Sequence, residues 1–278
     1  MAGSSPARLT PARWTTEALR DYLAANAIAG TVATPRQDSL AKYSRMAAGD
    51  PQCTFGLTFT RSWTARDVLA EMALRCGVSP DPDVRTGPDF IDPELTVGRL
   101  SAMAVALGQV AESRGTVLMG TGHPAGLLAI HAPLARRLAA VGCAILTPAR
   151  GWQASPRFDG HGDGGGESGE LRYIDGVAVL SRHAGLAHTH LPAAMEAMLA
   201  GLRDSGQPLP DLVVADHGFA GAAGAAGLAV VGFADCNDPA LFAGEAEGSI
   251  DVAVPLDDNV QPDLYEPVTA FLLAEAGL

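Results

Sequence analysis

Five polar clusters from residue 120 onward each follow directly on a short apolar run. Gly120-Thr121-Gly122-His123-Pro124 comes after TVLM, and Pro148 and Arg150 come after CAILT. Asp216-His217-Gly218 follows DLVVA, Asp235-Cys236-Asn237-Asp238 follows LAVVGFA, and Asp257-Asp258-Asn259 follows DVAVPL. The first cluster has the composition of an anion seat. Pro124 suits the first position of a helix, and amides around Gly120, Thr121 and Gly122 at that helix N-terminus would present donors to a phosphate, with Arg150 neutralising it. His123 is then placed for acid–base work near neutral pH or for direct attack on phosphorus, and Asp216 and His217 are the other expected catalytic residues.

His188-Thr189-His190 offers a second kind of chemistry. Alternate residues of an extended segment share a face, so both imidazoles would form half of a metal site. Asp216 and Asp235 complete the expected ligand set, with His217, Asp257 and Asp258 as further donors. Carboxylates suit Mg²⁺ or Mn²⁺, and a histidine-rich set suits Zn²⁺ or Fe. The expected cofactor is thus a divalent metal ion, Mg²⁺ or Mn²⁺ ahead of Zn²⁺. No nucleotide cofactor is expected, because GAAGAAG is not GxGxxG and the only lysine, Lys42, lies outside any phosphate-loop pattern. Glu245 and Glu247 read as ordinary helix-end charges.

For the five clusters to meet, the runs before them must be neighbouring parallel strands. From Thr116 onward strand-like and helical stretches alternate: TVLMG, HPAGLLAIHAPLARRLAAVG, CAILTP, then DLVVAD, a helix around FAGAAGAAG, LAVVGFAD, a helix from Asp238, DVAVPL and a helix from about Pro262. That alternation predicts an α/β, Rossmann-like, mostly parallel sheet with flanking helices, with ligands at the carboxyl ends of the strands. A Gly-rich loop from Trp152 to Glu170, flexible enough for a lid, and a hairpin in LRYIDGVAVL turning at Asp175-Gly176 read as an insertion at about 150–182. Residues 1–114 read as a helical N-terminal region ahead of a core at 115–278. Its helices are expected after Thr15 and Thr16, from Asp38 to Ala48, in TARDVLAEMALRCG, and from about Leu95 to Ser113. Ser79 to Glu94 is too rich in Pro, Gly and Asp for regular structure. Folded over the sheet edge, this region would bring Arg36, Asp38, Lys42 and Tyr43 towards a ligand.

The chain of 278 residues, 47% hydrophobic and 18% charged, has the composition of a folded domain. With 31 acidic against 19 basic residues, a net charge of −12, it repels phosphate backbones and anionic bilayers. A small phosphorylated molecule is the expected partner, with no nucleic acid and no membrane. Cys53, Cys76, Cys143 and Cys236 form no CxxC pair, the N-terminus lacks the apolar core of a signal peptide, and no run of about 18 apolar residues occurs; these features predict a reduced, cytoplasmic setting.

Several familiar signatures fail on context. Asp81-Pro82-Asp83-Val84 has the two aspartates of haloacid-dehalogenase-type phosphatases but follows a Pro-rich loop rather than a strand. Cys143 and Arg150 are one residue too far apart for a tyrosine-phosphatase loop. Arg182-His183 lies too late in the chain for a histidine phosphatase, and Gly166-Glu167-Ser168-Gly169 is not GxSxG.

Taken together, VATPR, CGVSPDPD, GTGHPAGLL, ILTPARG, AHTHLP, VVADHG, FADCNDPALFAGEAEG and VPLDDNVQPDLYEPV resemble a bacterial protein family, frequent in high-GC genomes, that is labelled only "phosphatase". GTGHPAGLL also resembles the strand-to-helix turn at which sugar isomerase domains hold sugar phosphates. The family resemblance implies a phosphatase and carries no list of active-site residues. The combined expectation is a phosphomonoester hydrolase acting on a small metabolite, its phosphate seated around Gly122-His123. The alternatives are a sugar-phosphate isomerase or lyase and a non-catalytic phosphometabolite-binding protein.

Overall fold

The computed structural model describes residues 14–154, 169–183 and 185–278. Most of the Gly-rich loop expected at Trp152–Glu170 lies outside the described residues.

The N-terminal region begins with α1 (Thr16–Ala25), whose first turn is capped by the Thr15 hydroxyl accepting from the Ala18 amide. β1 (Gly30–Pro35) and α2 (Arg36–Ala47) follow, then the single turn α3 (Pro51–Thr54) and α4 (Ala65–Arg75). α4 opens on a reciprocal capping box between Thr64 and Asp67. The stretch Ser79–Glu94, expected to be irregular, contains a strand, β2 (Pro88–Ile91), paired antiparallel to β1. Alternating burial along both strands gives the ribbon one packed face, and this outweighs the breakers around it. Arg36 organises the rest of that stretch: it is buried against Asp89 and donates to the carbonyls of Ser79, Asp81 and Val84. The long helix α5 (Pro93–Ser113), capped by Asp92, leads into the sheet.

The remaining elements are β3 (Thr116–Gly120), α6 (Pro124–Val141), β4 (Ala144–Leu146), β5 (Glu170–Ile174), β6 (Val177–Arg182), β7 (Gly185–Ala187), α7 (Ala193–Asp204), β8 (Leu212–Asp216), α8 (His217–Ala225), β9 (Val230–Ala234), α9 (Pro239–Glu247), β10 (Val252–Pro255) and α10 (Glu266–Glu275). They build one sheet in the order β10-β9-β8-β3-β6-β5, with β4 also on β3 and β7 on β6. β10, β9, β8, β3, β4 and β6 run parallel to their neighbours along this order, while β5 and β7 pair antiparallel to β6. Strands β8, β9 and β10 are buried throughout, as a sheet covered on both faces requires. The β5–β6 hairpin turns at Asp175 and Gly176, both at positive φ, as a two-residue primed turn needs. Among the described residues, no helix is long and apolar enough to cross a membrane.

The N-terminal region packs on the sheet through α5 against β10 and through α4 against α9, and one continuous apolar cluster runs from Leu19 to Leu272. It also lies against the carboxyl edge: the Asp257 amide donates to Ile28 O, and the Tyr43 hydroxyl donates to Cys236 O. Connections from β3 run to one side of the sheet through α6, whereas β8, on its other side, starts the series towards β9 and β10. The two strands therefore flank the point where the winding reverses, which is where open α/β sheets leave a crevice.

Candidate functional site

That crevice is a cleft of about 320 Å³ at the carboxyl edge. The turns after β3, β8, β9 and β10 supply His123, His217, Asp235 with Asp238, and Asp257 with Asp258; the segment before α7 adds His188 and His190, and the N-terminal region adds Thr34 and Lys42.

Asp216 is the hub behind the cleft. Fully buried, its Oδ1 accepts from the amides of Gly122 (2.7 Å) and His123 (3.2 Å) and lies 2.8 Å from His217 Nδ1, while Oδ2 lies 3.0 Å from His131 Nε2. Burial opposes its charge, but the bonds to His131 and His217 hold the carboxyl far below its usual range. The helix N-terminus predicted to receive a phosphate thus receives the chain's own carboxylate. Thr121 is spent in the same turn, its amide donating to Ala178 O and its hydroxyl accepting from the His123 amide. Gly120 closes β3 against Phe219.

His217 begins α8 at φ 47°, a left-handed conformation at a sharp strand-to-helix turn. Its Nδ1 faces Asp216, and its Nε2 is 3.4 Å from Asp238 Oδ2 and 3.5 Å from Asp258 Oδ2. Burial works against the imidazolium, but Asp216 and Asp238 outweigh it and raise the pKa well above the usual histidine value. His190 Nδ1 is 2.9 Å from Gln52 O, and its Nε2 is 3.1 Å from His188 Nε2. Burial and the charge on His217 push His190 down to about 4 and lower His188 as well. Two glycines bring this segment in. A Cβ on Gly122 would lie 2.3 Å from Thr189 O, and one on Gly218 would lie 2.2 Å from Leu191 O, so both backbones can approach the histidine segment only without side chains.

Lys42 donates to Asp238 Oδ1 at 2.9 Å and to Asn237 Oδ1 at 3.0 Å. Burial disfavours its charge, yet Asp238, Asp235 and Asp258 keep it an ammonium. Asp235 accepts from Thr34 Oγ1 at 2.5 Å and from the Cys236 amide; burial and the neighbouring Asp258, Asp257 and Asp238 raise its pKa well above the carboxylate range. His123 Nδ1 is 3.2 Å from Asp258 Oδ1, and its ring stacks on His188 with centroids 4.4 Å apart.

The structure therefore brings together His123, His188, His190, His217 and Asp235 of the predicted site residues, and it sets Asp216 behind them. Arg150 stands apart. β4 pairs only with Thr116–Leu118 of β3, and β6 takes over at Met119, so the turn after β4 falls short of the edge and Arg150 lies exposed over the Tyr173 ring. Of the N-terminal residues expected at a ligand, Lys42 reaches the cleft; Arg36 and Tyr43 are buried in packing, and Asp38 is exposed. Glu245 binds Arg75 and Arg99, and Glu247 ties Thr60 and Trp63 to α9. His131 escaped the sequence reading. Its signal was a lone histidine eight residues after His123 on the apolar face of α6.

Two donor triads stand out for a cation: His190, His217 and Asp238, and His123, His188 and His217, with the ligand atoms of each within 4.8 Å of one another. Imidazoles whose other nitrogen is held by a carboxylate or a carbonyl are oriented as metal ligands are, and His217 and His190 both meet that description. The site also contains two buried polar atoms outside good hydrogen-bond geometry, His123 Nδ1 beside Asp258 Oδ1 and Asp258 Oδ2 beside His217 Nε2. The donor set fits a divalent metal ion.

Fold and site together define an α/β protein with a histidine–aspartate centre, buried at His217 and its aspartates and open at His188, at the switch point of its sheet. A protein-family model described as Phosphatase matches residues 14–278, and the chain belongs to that family. It is 47% identical over 262 residues to the Streptomyces coelicolor protein named Phosphatase SCO2771, covering 94% of this chain and 95% of that protein. The chain is a phosphatase.

Proposed function

We propose that this phosphatase hydrolyses phosphomonoesters of small metabolites in the carboxyl-edge cleft, with a divalent metal ion on His190, His217 and Asp238. The observation that carries the reading is the preparation of those three side chains. His217 is backed by Asp216, His190 by Gln52 O, and Asp238 by Lys42. Three protein ligands leave a position open for a reactant, the arrangement of a catalytic centre. When bound, the ion would supply Lewis acidity to a phosphoryl oxygen and lower the pKa of a water molecule.

The chain's own residues do the rest. Lys42 contributes the cleft's ammonium and holds Asp238 in place while drawing a phosphoryl oxygen towards it. Because Asp216 occupies the amides of Gly122 and His123, those groups position His217 and do not seat the substrate. Asp257 and Asp258 line the same cleft, which disfavours polyphosphates and favours a single phosphoryl group on a neutral or cationic alcohol. Water forms the new bond to phosphorus as the ester P–O bond breaks, and its proton passes to the departing alcohol oxygen.

The test is release of inorganic phosphate from a panel of sugar, nucleotide and amino-alcohol monophosphates, with and without chelator. The expected result is release from sugar or amino-alcohol phosphates that stops on chelation and returns with Mg²⁺, Mn²⁺ or Zn²⁺. Turnover indifferent to chelator, or products that retain their phosphate, would overturn the proposal.

A further inference from the structure

The hydrolysis reading uses His190, His217 and Asp238 and leaves the other half of the cluster without a task. His123, His188 and Asp258 face the same cleft. Two of their atoms, His123 Nδ1 and Asp258 Oδ2, are buried and have only ion-pair approaches, to Asp258 Oδ1 and His217 Nε2, without a well-formed hydrogen bond. His217 cannot serve both triads. Its Nδ1 is committed to Asp216, so one ring nitrogen remains, and an imidazole nitrogen binds one ion.

Asp258 fills the gap that His217 leaves in the second triad. Its side chain is 7% exposed, with Oδ1 3.2 Å from His123 Nδ1 and Oδ2 3.5 Å from His217 Nε2. One carboxylate thus reaches both groups of imidazoles with one oxygen each, the disposition of a bridging ligand.

We propose that the cleft holds a pair of divalent cations, the first on His190, His217 and Asp238 and the second on His123 and His188, with Asp258 bridging the two. This rests on the hydrolysis reading and extends it. Paired ions about 3.5–4 Å apart clamp both the attacking and the leaving oxygen of an in-line displacement. The balance of the reaction is unchanged: one O–P bond forms, one P–O bond breaks, and one proton goes to the alcohol.

The experiment counts metal. Full-length protein is stripped with chelator, reloaded with Mn²⁺, desalted and measured for Mn²⁺ per chain, and its electron paramagnetic resonance spectrum is recorded. Wild type should retain two equivalents and give the spectrum of an exchange-coupled pair, whereas Asp258→Asn and His123→Gln should each retain one and give the spectrum of an isolated ion. One equivalent in wild type with an isolated-ion spectrum would overturn the paired site and leave the single-metal phosphatase standing. No retained metal alongside undiminished phosphate release would overturn both. Because the wild-type count decides the matter, a variant that fails to fold does not protect the proposal.

Discussion

Asp216→Asn isolates what the hub contributes. The amide is nearly isosteric, so its oxygen can still accept from Gly122, His123 and His217 while its NH₂ faces His131 Nε2, which must then take the tautomer that accepts; the charge is lost and that one bond reverses direction. A hydrogen bond to a charged group contributes about 1.5–3 kcal/mol and a neutral one about 0.5–1.5 kcal/mol, so three bonds lose roughly 3 kcal/mol in all. No longer burying a carboxylate offsets part of this. The expected net loss is about 1–3 kcal/mol, a melting temperature lower by roughly 2–6 °C for a chain of this size. The functional loss should be larger than the loss of fold. Partners that orient a metal-binding histidine are worth about 10–100-fold in metal affinity or activity, and Asp216 is that partner for His217. Mn²⁺ titration calorimetry and phosphate release, run on folded protein well below the new melting temperature, measure both effects. A variant within twofold of wild type in both, while still losing stability, would refute the claim that Asp216 orients the site rather than merely packing it.

Further outcomes follow from other parts of the structure. Gly122→Ala should abolish phosphate release with the circular dichroism spectrum retained, because its Cβ would displace the segment carrying His188 and His190. Lys42→Met should lower kcat/KM at least tenfold, measured by initial rates, since Asp238 and the phosphoryl group both lose their ammonium partner. Arg36→Ala should cost about 3–5 kcal/mol in denaturant unfolding, because it strands the buried Asp89 carboxylate. Glu247 has a depressed pKa: burial opposes its charge, but donors from Thr60, Trp63 and Arg61 prevail. Its stabilising effect is complete above the unfolded carboxylate pKa of about 4.3 and is lost as pH falls through the folded value. The gap in melting temperature between wild type and Glu247→Gln should therefore stay constant near neutrality and shrink below about pH 4.

The legible parts of this fold were those with a local signal. Apolar runs such as DLVVAD and LAVVGFAD become central parallel strands because their side chains are buried on both faces, and the polar residues directly after them arrive at one edge. The pair His188 and His190 was readable for the same reason, an alternation in an extended segment. What escaped depended on contacts across the chain. The β1–β2 ribbon joins residues some 60 positions apart, as Gly30 with Ile91 shows, and nothing within GPDFI announces that partner. Asp216 reads as one more edge carboxylate, yet its depth behind the turn and four donors from three elements make it a support. Arg150 follows a strand like the others, but β4 stops short of the edge, and strand length relative to a neighbour is a tertiary property. His131 needed the reverse inference, that a polar residue on an apolar helix face must have a buried partner.

The central claim is that His190, His217 and Asp238 hold a cation beside the phosphoryl group. An anomalous difference map from crystals grown with Mn²⁺ and inorganic phosphate tests it most directly. The account predicts an anomalous peak among those three side chains, with phosphate next to it and within reach of Lys42. A cleft without anomalous density, with phosphate bound elsewhere on the molecule, would contradict it.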